Sequence, residues 1–194
     1  MVEQLFSDQL IWRQPRLAKI SQVPAELCDW LLDSGSLTKR LQQASDNQLS
    51  VQVLNQSVQL PSFSERRALG LAPRRLALIR EVLLFGRGVP WVYARSVIPM
   101  QTLTGRLRKL RHLDNRPLGA LLFSDPTMTR EPLEWTCMPA NKSSSLTPQL
   151  TTFDKPVWGR RSVFKLSGKP LLVCEMFLPG FSGGVQNLEP LKND

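Results

Sequence analysis

Two charged residues, Glu175 and Arg80, lie within strongly apolar stretches of this sequence. Glu175 is the one charge in 171–178, and Arg80 lies in 76–84. Side chains of a β-strand alternate between its two faces, so each charge would share a face with Leu and Val neighbours. A charge on an apolar face must be paired, because an unpaired one costs roughly several kcal/mol. A buried acid and a buried base, far apart in sequence, predict an enclosed site for a small anionic ligand.

The strand pattern also leaves other arrangements open. A single Glu on a strand often faces solvent or lies at a sheet edge. Glu81 follows Arg80 directly and would point to the opposite face, so one face of that strand could be hydrated. A structural ion pair between Arg80 and Glu175 is a third alternative.

The composition favours an anionic partner. The 194 residues include 25 Lys and Arg against 16 Asp and Glu, which gives a formal charge of +9. Nucleic acid, acidic lipid headgroups and a multiply charged metabolite all suit this excess. The segment 104–113 is the best candidate for binding nucleic acid. No aromatic residue alternates with its charges, so the solvated face of an amphipathic helix is the favoured interpretation.

Several classes of site have no support in the sequence. His112 is the only histidine, which excludes a histidine-based triad or a multi-histidine metal centre. Cys28, Cys137 and Cys174 are widely spaced and odd in number, which argues against disulfides and for a reducing compartment. Phosphate-binding loops and nucleotide motifs are also missing. No apolar run reaches the ~18 residues of a membrane span and there is no signal-peptide core, so we expect a cytoplasmic protein.

Local patterns predict one α+β domain over 1–194, with a single antiparallel sheet and helices on one side. A possible loose arm (1–20), a surface insert (139–155) and a disordered tail (180–194) would flank or interrupt it. Helices are predicted at 24–32, 37–44, 104–113 and 117–123. Strands are predicted at 49–53 with a bulge before 58–60, and at 75–85, 91–98, 127–137, 161–166 and 170–178.

An ordered set of segments across 24–179 resembles the chorismate pyruvate-lyase family. Each segment alone is a weak signal, but their order and spacing are specific. The segments are 33–40 (DSGSLTKR), 80–84 (REVLL), 88–91 (GVPW), 94–99 (ARSVIP), 117–119 (PLG), 158–162 (WGRRS), 166–172 (LSGKPLL) and 175–179 (EMFLP).

This resemblance implies a monomer with an internal, cofactor-free site beneath helical flaps. It implies the conversion of chorismate to 4-hydroxybenzoate and pyruvate, for ubiquinone synthesis, with no nucleic-acid partner. The family's ligand-contacting arginine falls on Arg80, and its essential glutamate falls on Glu175, which would act as an acid or a base. Two further positions, which contact ligand partly through backbone, fall on Leu37 and Leu118. A methionine is familiar at the first of these, so Leu37 is a departure.

The main alternative is a non-catalytic sensor domain that binds a small molecule on the same architecture. Some transcription regulators have ligand-binding domains that resemble this lyase fold, so the fold alone does not separate the two. A regulator would carry a helix-turn-helix domain, and the first 24 residues leave no room for one. That expectation favours the enzyme.

Overall fold

A seven-stranded antiparallel sheet organises the described part of the chain. The computed structural model describes residues 10–15, 23–140 and 154–181. The strand order is β1-β2-β3-β7-β6-β4, and β5 also pairs with β6. The strands are β1 (Leu49–Gln59), β2 (Ala77–Gly86), β3 (Val89–Pro99), β4 (Thr129–Arg130), β5 (Glu134–Met138), β6 (Val157–Leu166) and β7 (Lys169–Phe177).

Five helical segments accompany the sheet in the described ranges, and local capping explains where two of them begin. The Ser36 hydroxyl accepts the Lys39 backbone N–H, and Ser62 forms a capping box with Glu65. Together with the antiparallel sheet, these helices confirm the predicted α+β class. The segments are α1 (Ala25–Leu32), α2 (Leu37–Ala44), α3 (Phe63–Leu69), a 3-10 helix (Gly105–His112) and α4 (Leu118–Ser124).

Two tight hairpins set the register of the central strands. Arg87 and Gly88 join β2 to β3 with φ values of 51° and 78°, and Ser167 and Gly168 join β6 to β7 with 49° and 74°. Positive φ at both turn residues matches the twist of the flanking strands. Both hairpins and the bulge in β1, which lies between Val53 and Asn55, confirm the sequence-based predictions.

The two faces of the sheet have different coverings. We call the face that carries Arg80 and Glu175 the front face. The helices α1 and α2 pack with one apolar cluster on this face, and the 3-10 helix and α4 pack with a second. The helix α3 lies on the opposite, rear face, where Leu69 packs with Ile79 and Leu172. The two front clusters leave a polar zone between them.

Three predicted elements need correction. The strand expected at 127–137 is two short strands, because Pro132 lies between β4 and β5 and has no N–H to donate to the ladder. The strand expected at 161–166 begins at Val157. Gly159 belongs to it because a Cβ there would lie 2.1 Å from the Met176 sulfur. The segment predicted as a helix at 104–113 is a 3-10 helix.

Some predicted segments fall wholly or partly outside the described residues. In the expected arm, residues 10–15 contact the sheet, since Arg13 pairs with Trp135 of β5 through two backbone hydrogen bonds. The other residues of 1–20, most of the insert and all of the tail beyond 181 lie outside the described ranges. Within these ranges, none of the helices is long and apolar enough to cross a membrane.

Candidate active site

Arg80 is a buried cation on the front face. Its side chain is on β2 and the residue is 1% exposed. Its Nη2 donates to the carbonyl oxygens of Asp114 (2.6 Å) and Arg116 (3.2 Å), while its buried Nε has no hydrogen-bond partner. No carboxylate of the described residues forms a salt bridge with it. Burial lowers the pKa of Arg80, and Asp114 opposes that shift. The guanidinium is therefore suited to receive an anion.

Glu175 pairs with Arg160, which faces it across the β6–β7 ladder. Arg160 Nε donates to Glu175 Oε2 over 2.7 Å; the Arg160 side chain is 1% exposed and that of Glu175 is 17% exposed. The alternative of an Arg80–Glu175 ion pair is wrong. Strand β3 lies between the two residues, and the carboxylate binds Arg160 instead.

Arg160 also connects Glu175 to the first flap, by which we mean residues 25–44. Its Nη1 donates to the carbonyl oxygens of Trp30 (2.7 Å) and Asp33 (2.8 Å) at the end of α1. The Arg160 guanidinium therefore binds both the Glu175 carboxylate and the first flap. Arg80 contacts the second flap, residues 105–124, through its bonds to Asp114 and Arg116.

Arg130 is a third cation on the front face. Its Nε donates to Ser162 Oγ (3.0 Å), and its Nη1 donates to the Ser34 carbonyl oxygen of the first flap (2.7 Å). Burial and then the charge of Arg160 lower the pKa of Arg130, while Glu175 and Asp33 act in the opposite direction. Arg130 thus lies within the electrostatic field of the Arg160–Glu175 pair.

Asp33 supplies a negative charge at the turn of the first flap. Burial alone would raise the pKa of its carboxyl group. The Gly35 N–H, which donates over 2.7 Å, and the charges of Arg160 and Arg40 outweigh burial, so the pKa is lowered. Arg40 also binds the carboxylate directly at 3.3 Å. The turn is therefore held by several cationic contacts.

Leu37 and Leu118 form part of the cover over the front face. Each is the first residue of its helix, α2 or α4, and each is buried, at 3% and 6% exposure. The starts of the two helices touch, because a Cβ on Gly119 would lie 2.6 Å from Thr38 Oγ1. This close approach joins the two flaps. A contact between either leucine and a ligand stays a prediction.

Sequence reasoning missed two of the three front-face arginines. Arg160 lies in the segment 158–162 that carried part of the family resemblance, and strand alternation puts either Arg160 or Arg161 on the front face. The pairing of Arg160 with Glu175 depends on register, which the local pattern does not give. Arg130 lies in the strand predicted at 127–137, but no apolar run surrounds it in the sequence, so it did not stand out as a buried charge.

A cavity of about 530 Å³ lies on the rear face, and it differs in chemistry from the front site. Its buried cation, Arg161, donates to Glu134 Oε2 (2.6 Å) and to Ser64 Oγ (2.8 Å). Arg80 and Arg130 lack such a carboxylate partner in the described chain. The candidate active site is therefore on the front face. In the ranges described, no group of three or more His, Cys, Asp or Glu could hold a metal ion.

Comparison with known proteins establishes the family. Residues 6–182 match the sequence model described as "Chorismate lyase". A probable chorismate pyruvate-lyase of Aromatoleum aromaticum is 40% identical over 177 residues, covering 89% of this chain and 93% of that protein. One of Marinobacter nauticus is 43% identical over 150 residues, covering 77% and 74%.

Solved structures give the same fold at low sequence identity. PhnF from Mycobacterium smegmatis matches with a TM-score of 0.54 and 16% identity, over 78% of this chain and 67% of that one. A GntR-family transcriptional regulator from Bacillus cereus matches with a TM-score of 0.51 and 10% identity, over 68% and 92%. These structures support the fold alone. With the sequence match over almost its full length, the chain belongs to the chorismate lyase family.

Proposed function

We propose that this protein is a chorismate pyruvate-lyase, which converts chorismate to 4-hydroxybenzoate and pyruvate. The observation that carries the proposal is the charge pattern of the front face. Arg80 and Arg130 have no carboxylate partner among the described residues, and Glu175 is already paired with Arg160. Two uncompensated guanidinium groups beside one carboxylate suit a substrate with two carboxylates.

The reaction needs orientation and one proton acceptor. The ether bond between the ring carbon and the enolpyruvyl oxygen breaks, and its electron pair leaves with the oxygen. The neighbouring ring carbon loses its proton, and the C–H electron pair completes the aromatic ring. A proton then adds to the methylene carbon of enolpyruvate to give pyruvate. Oxidation states balance between substrate and products, so the step needs neither an oxidant nor a reductant.

Glu175 is the base in this proposal. It is a carboxylate that a buried guanidinium fixes at 2.7 Å, so its orientation is set before substrate binds. The side chain is 17% exposed, and its other oxygen accepts no hydrogen bond from the described residues. General-base catalysis by a positioned carboxylate contributes about 10²- to 10⁴-fold to a rate.

Arg80 is the proposed clamp for the ring carboxylate. The two flap carbonyls accept from its Nη2, and Nε and Nη1 have no hydrogen-bond partner among the described residues. A substrate carboxylate can accept a charge-assisted hydrogen bond from one of these two remaining donors. Leu37 and Leu118 would then close an apolar cover over the ring and exclude water.

The test is to mix purified protein with chorismate and measure both products. Equal amounts of 4-hydroxybenzoate and pyruvate are expected. Glu175→Gln should lower kcat about 10²- to 10⁴-fold while leaving the affinity for 4-hydroxybenzoate nearly unchanged. Glu134→Gln is the matched control, since Glu134 pairs with an arginine on the rear face. A kcat for Glu175→Gln close to that of the wild type would remove Glu175 from the chemistry.

A sensor domain is the second candidate function. The solved structures of similar fold include a protein whose title names it a transcriptional regulator of the GntR family. A sensor would bind chorismate or an analogue and release it intact, so recovery of unchanged chorismate after long incubation would favour it. The cytoplasmic location expected from the sequence stays a prediction, as do the monomeric state and the role in ubiquinone synthesis implied by the family.

A further inference from the structure

Arg130 is a second front-face guanidinium that is only partly used by the protein. Its Nε and Nη1 donate to Ser162 and Ser34, and Nη2 has no hydrogen-bond partner in the described part of the chain. Its guanidinium carbon lies 5.0 Å from the centre of the Phe164 ring, so one side of the group is against an apolar surface. A half-buried cation without an ion pair favours an anionic ligand.

We propose that Arg130 binds the enolpyruvyl carboxylate of the substrate, while Arg80 holds the ring carboxylate. This assignment rests on the proposed lyase function. It makes Arg130 a substrate-binding residue and gives each of the two carboxylates its own arginine. Arg160 stays with Glu175 and positions it, so the three arginines have separate tasks.

The spacing of the strands is compatible with one ring between the two arginines. Arg80 is on β2 and Arg130 is on β4, with β3, β7 and β6 between them. Four steps of about 4.8 Å separate their backbones by about 19 Å. An arginine side chain reaches about 6 Å, given its bond lengths. Two such side chains can therefore hold anionic groups on opposite sides of a single six-membered ring.

The position of Glu175 decides which carboxylate goes to which arginine. In chorismate the ether and the ring proton that is lost are on adjacent carbons, and the ring carboxylate is at the far side of the ring. Glu175 must reach that proton. Arg130 donates to Ser162, two residues from Arg160 on the same face of β6, and to the Ser34 carbonyl, next to the Asp33 carbonyl that Arg160 binds. Arg80 instead donates to carbonyls of the second flap. The arginine beside Glu175 therefore takes the carboxylate beside the ether.

This assignment separates substrate binding from product binding. The product 4-hydroxybenzoate keeps the ring carboxylate and has lost the enolpyruvyl one. A change at Arg130 should therefore weaken the binding of chorismate and leave that of 4-hydroxybenzoate unaltered. A change at Arg80 should weaken both.

The experiment compares Arg130→Gln, Arg130→Lys and Arg80→Gln with the wild type. KM and kcat are measured with chorismate, and the Kd of 4-hydroxybenzoate is measured by titration calorimetry. For Arg130→Gln, KM should rise roughly 10- to 100-fold, the effect of losing a charge-assisted hydrogen bond, with the product Kd within about twofold. Arg67→Gln, an exposed arginine on α3 at the rear face, is the control and should match the wild type.

Two results would overturn the assignment. One is an unchanged KM for Arg130→Gln; the other is an equal loss of 4-hydroxybenzoate binding, which would mean that Arg130 acts on the ring carboxylate or only on the first flap. If Arg130→Gln does not fold, Arg130→Lys decides: a several-fold rise in KM supports the role, and wild-type constants refute it. Failure of the wild type to convert chorismate would instead refute the proposed function.

Discussion

Arg160 fastens the first flap to the sheet, and its replacement should open that flap. Three acceptors converge on this buried side chain: Glu175 Oε2 at 2.7 Å, the Trp30 carbonyl oxygen at 2.7 Å and the Asp33 carbonyl oxygen at 2.8 Å. Arg160→Met keeps much of the side-chain volume and removes all three bonds. The two carbonyl bonds join the flap to β6, so their loss should promote local opening as well as global unfolding.

The size of the effect follows from these bonds. A hydrogen bond to a charged group contributes about 1.5–3 kcal/mol, so the two carbonyl bonds together contribute about 3 kcal/mol at the lower limit. Since 1.4 kcal/mol is a tenfold change in an equilibrium constant, the open population of the flap should rise roughly 100-fold. Breaking a buried ion pair costs about 3–5 kcal/mol. For the free energy of global unfolding we expect a loss at the lower end of this range, because the Glu175 side chain is 17% exposed and partly hydrated.

Hydrogen–deuterium exchange of peptides from 25–44 measures this opening. In Arg160→Met these amides should exchange up to roughly 100-fold faster than in the wild type, while amides of the β2–β3 hairpin keep their relative protection. Under the proposed function, 4-hydroxybenzoate would be released through the opened flap, so we expect it to dissociate faster from this variant. Equal protection of 25–44 in a folded Arg160→Met protein would refute the proposed fastening.

Arg161→Met provides the matched control for this experiment. Arg161 is the next residue on β6, is 8% exposed, and pairs with Glu134 on the rear face. Its loss should lower global stability and leave the exchange of the first flap, relative to the hairpin, unchanged. A flap effect of equal size in both variants would show that the opening reflects general destabilisation.

Two further predictions concern other charges. Arg95→Met should lower the free energy of unfolding by about 3–5 kcal/mol in urea, because it leaves Glu65, which is 0% exposed, as a buried unpaired carboxylate. Adding Glu65→Gln should restore part of the lost stability. If Arg95→Met lowers the free energy of unfolding by less than about 1 kcal/mol, the prediction is wrong. Because the pKa of Asp33 is lowered in the folded protein, its ionised carboxylate stabilises the fold. This stabilisation is complete above about pH 4 and is lost as the pH falls through the pKa that Asp33 has in the folded state. The stability difference between wild type and Asp33→Asn should therefore shrink from pH 6 to pH 2.5, and parallel curves would argue against it.

The features that the sequence predicted correctly have local causes. Alternation of side chains placed Arg80 and Glu175 among apolar neighbours, and the folded chain has both on the front face. The turn residues Arg87-Gly88 and Ser167-Gly168 predicted hairpins, because positive φ is a property of the turn itself. Ser36 marked the start of α2 through a bond to a backbone N–H three residues away. Such signals act within a few residues, so the chain alone reveals them.

Other features depend on residues that meet only in the folded state. The start of β6 was missed because Gly159 in isolation suggests a break in a strand, whereas the Met176 side chain fills the place of its absent Cβ. The sequence alone established that an acid and a base lie on apolar strand faces. The strand order β3-β7-β6, a long-range arrangement, decided that Arg160 and not Arg80 is the partner of Glu175. Alternation assigns a side chain to one of two faces, and only the tertiary pairing of strands assigns it a neighbour.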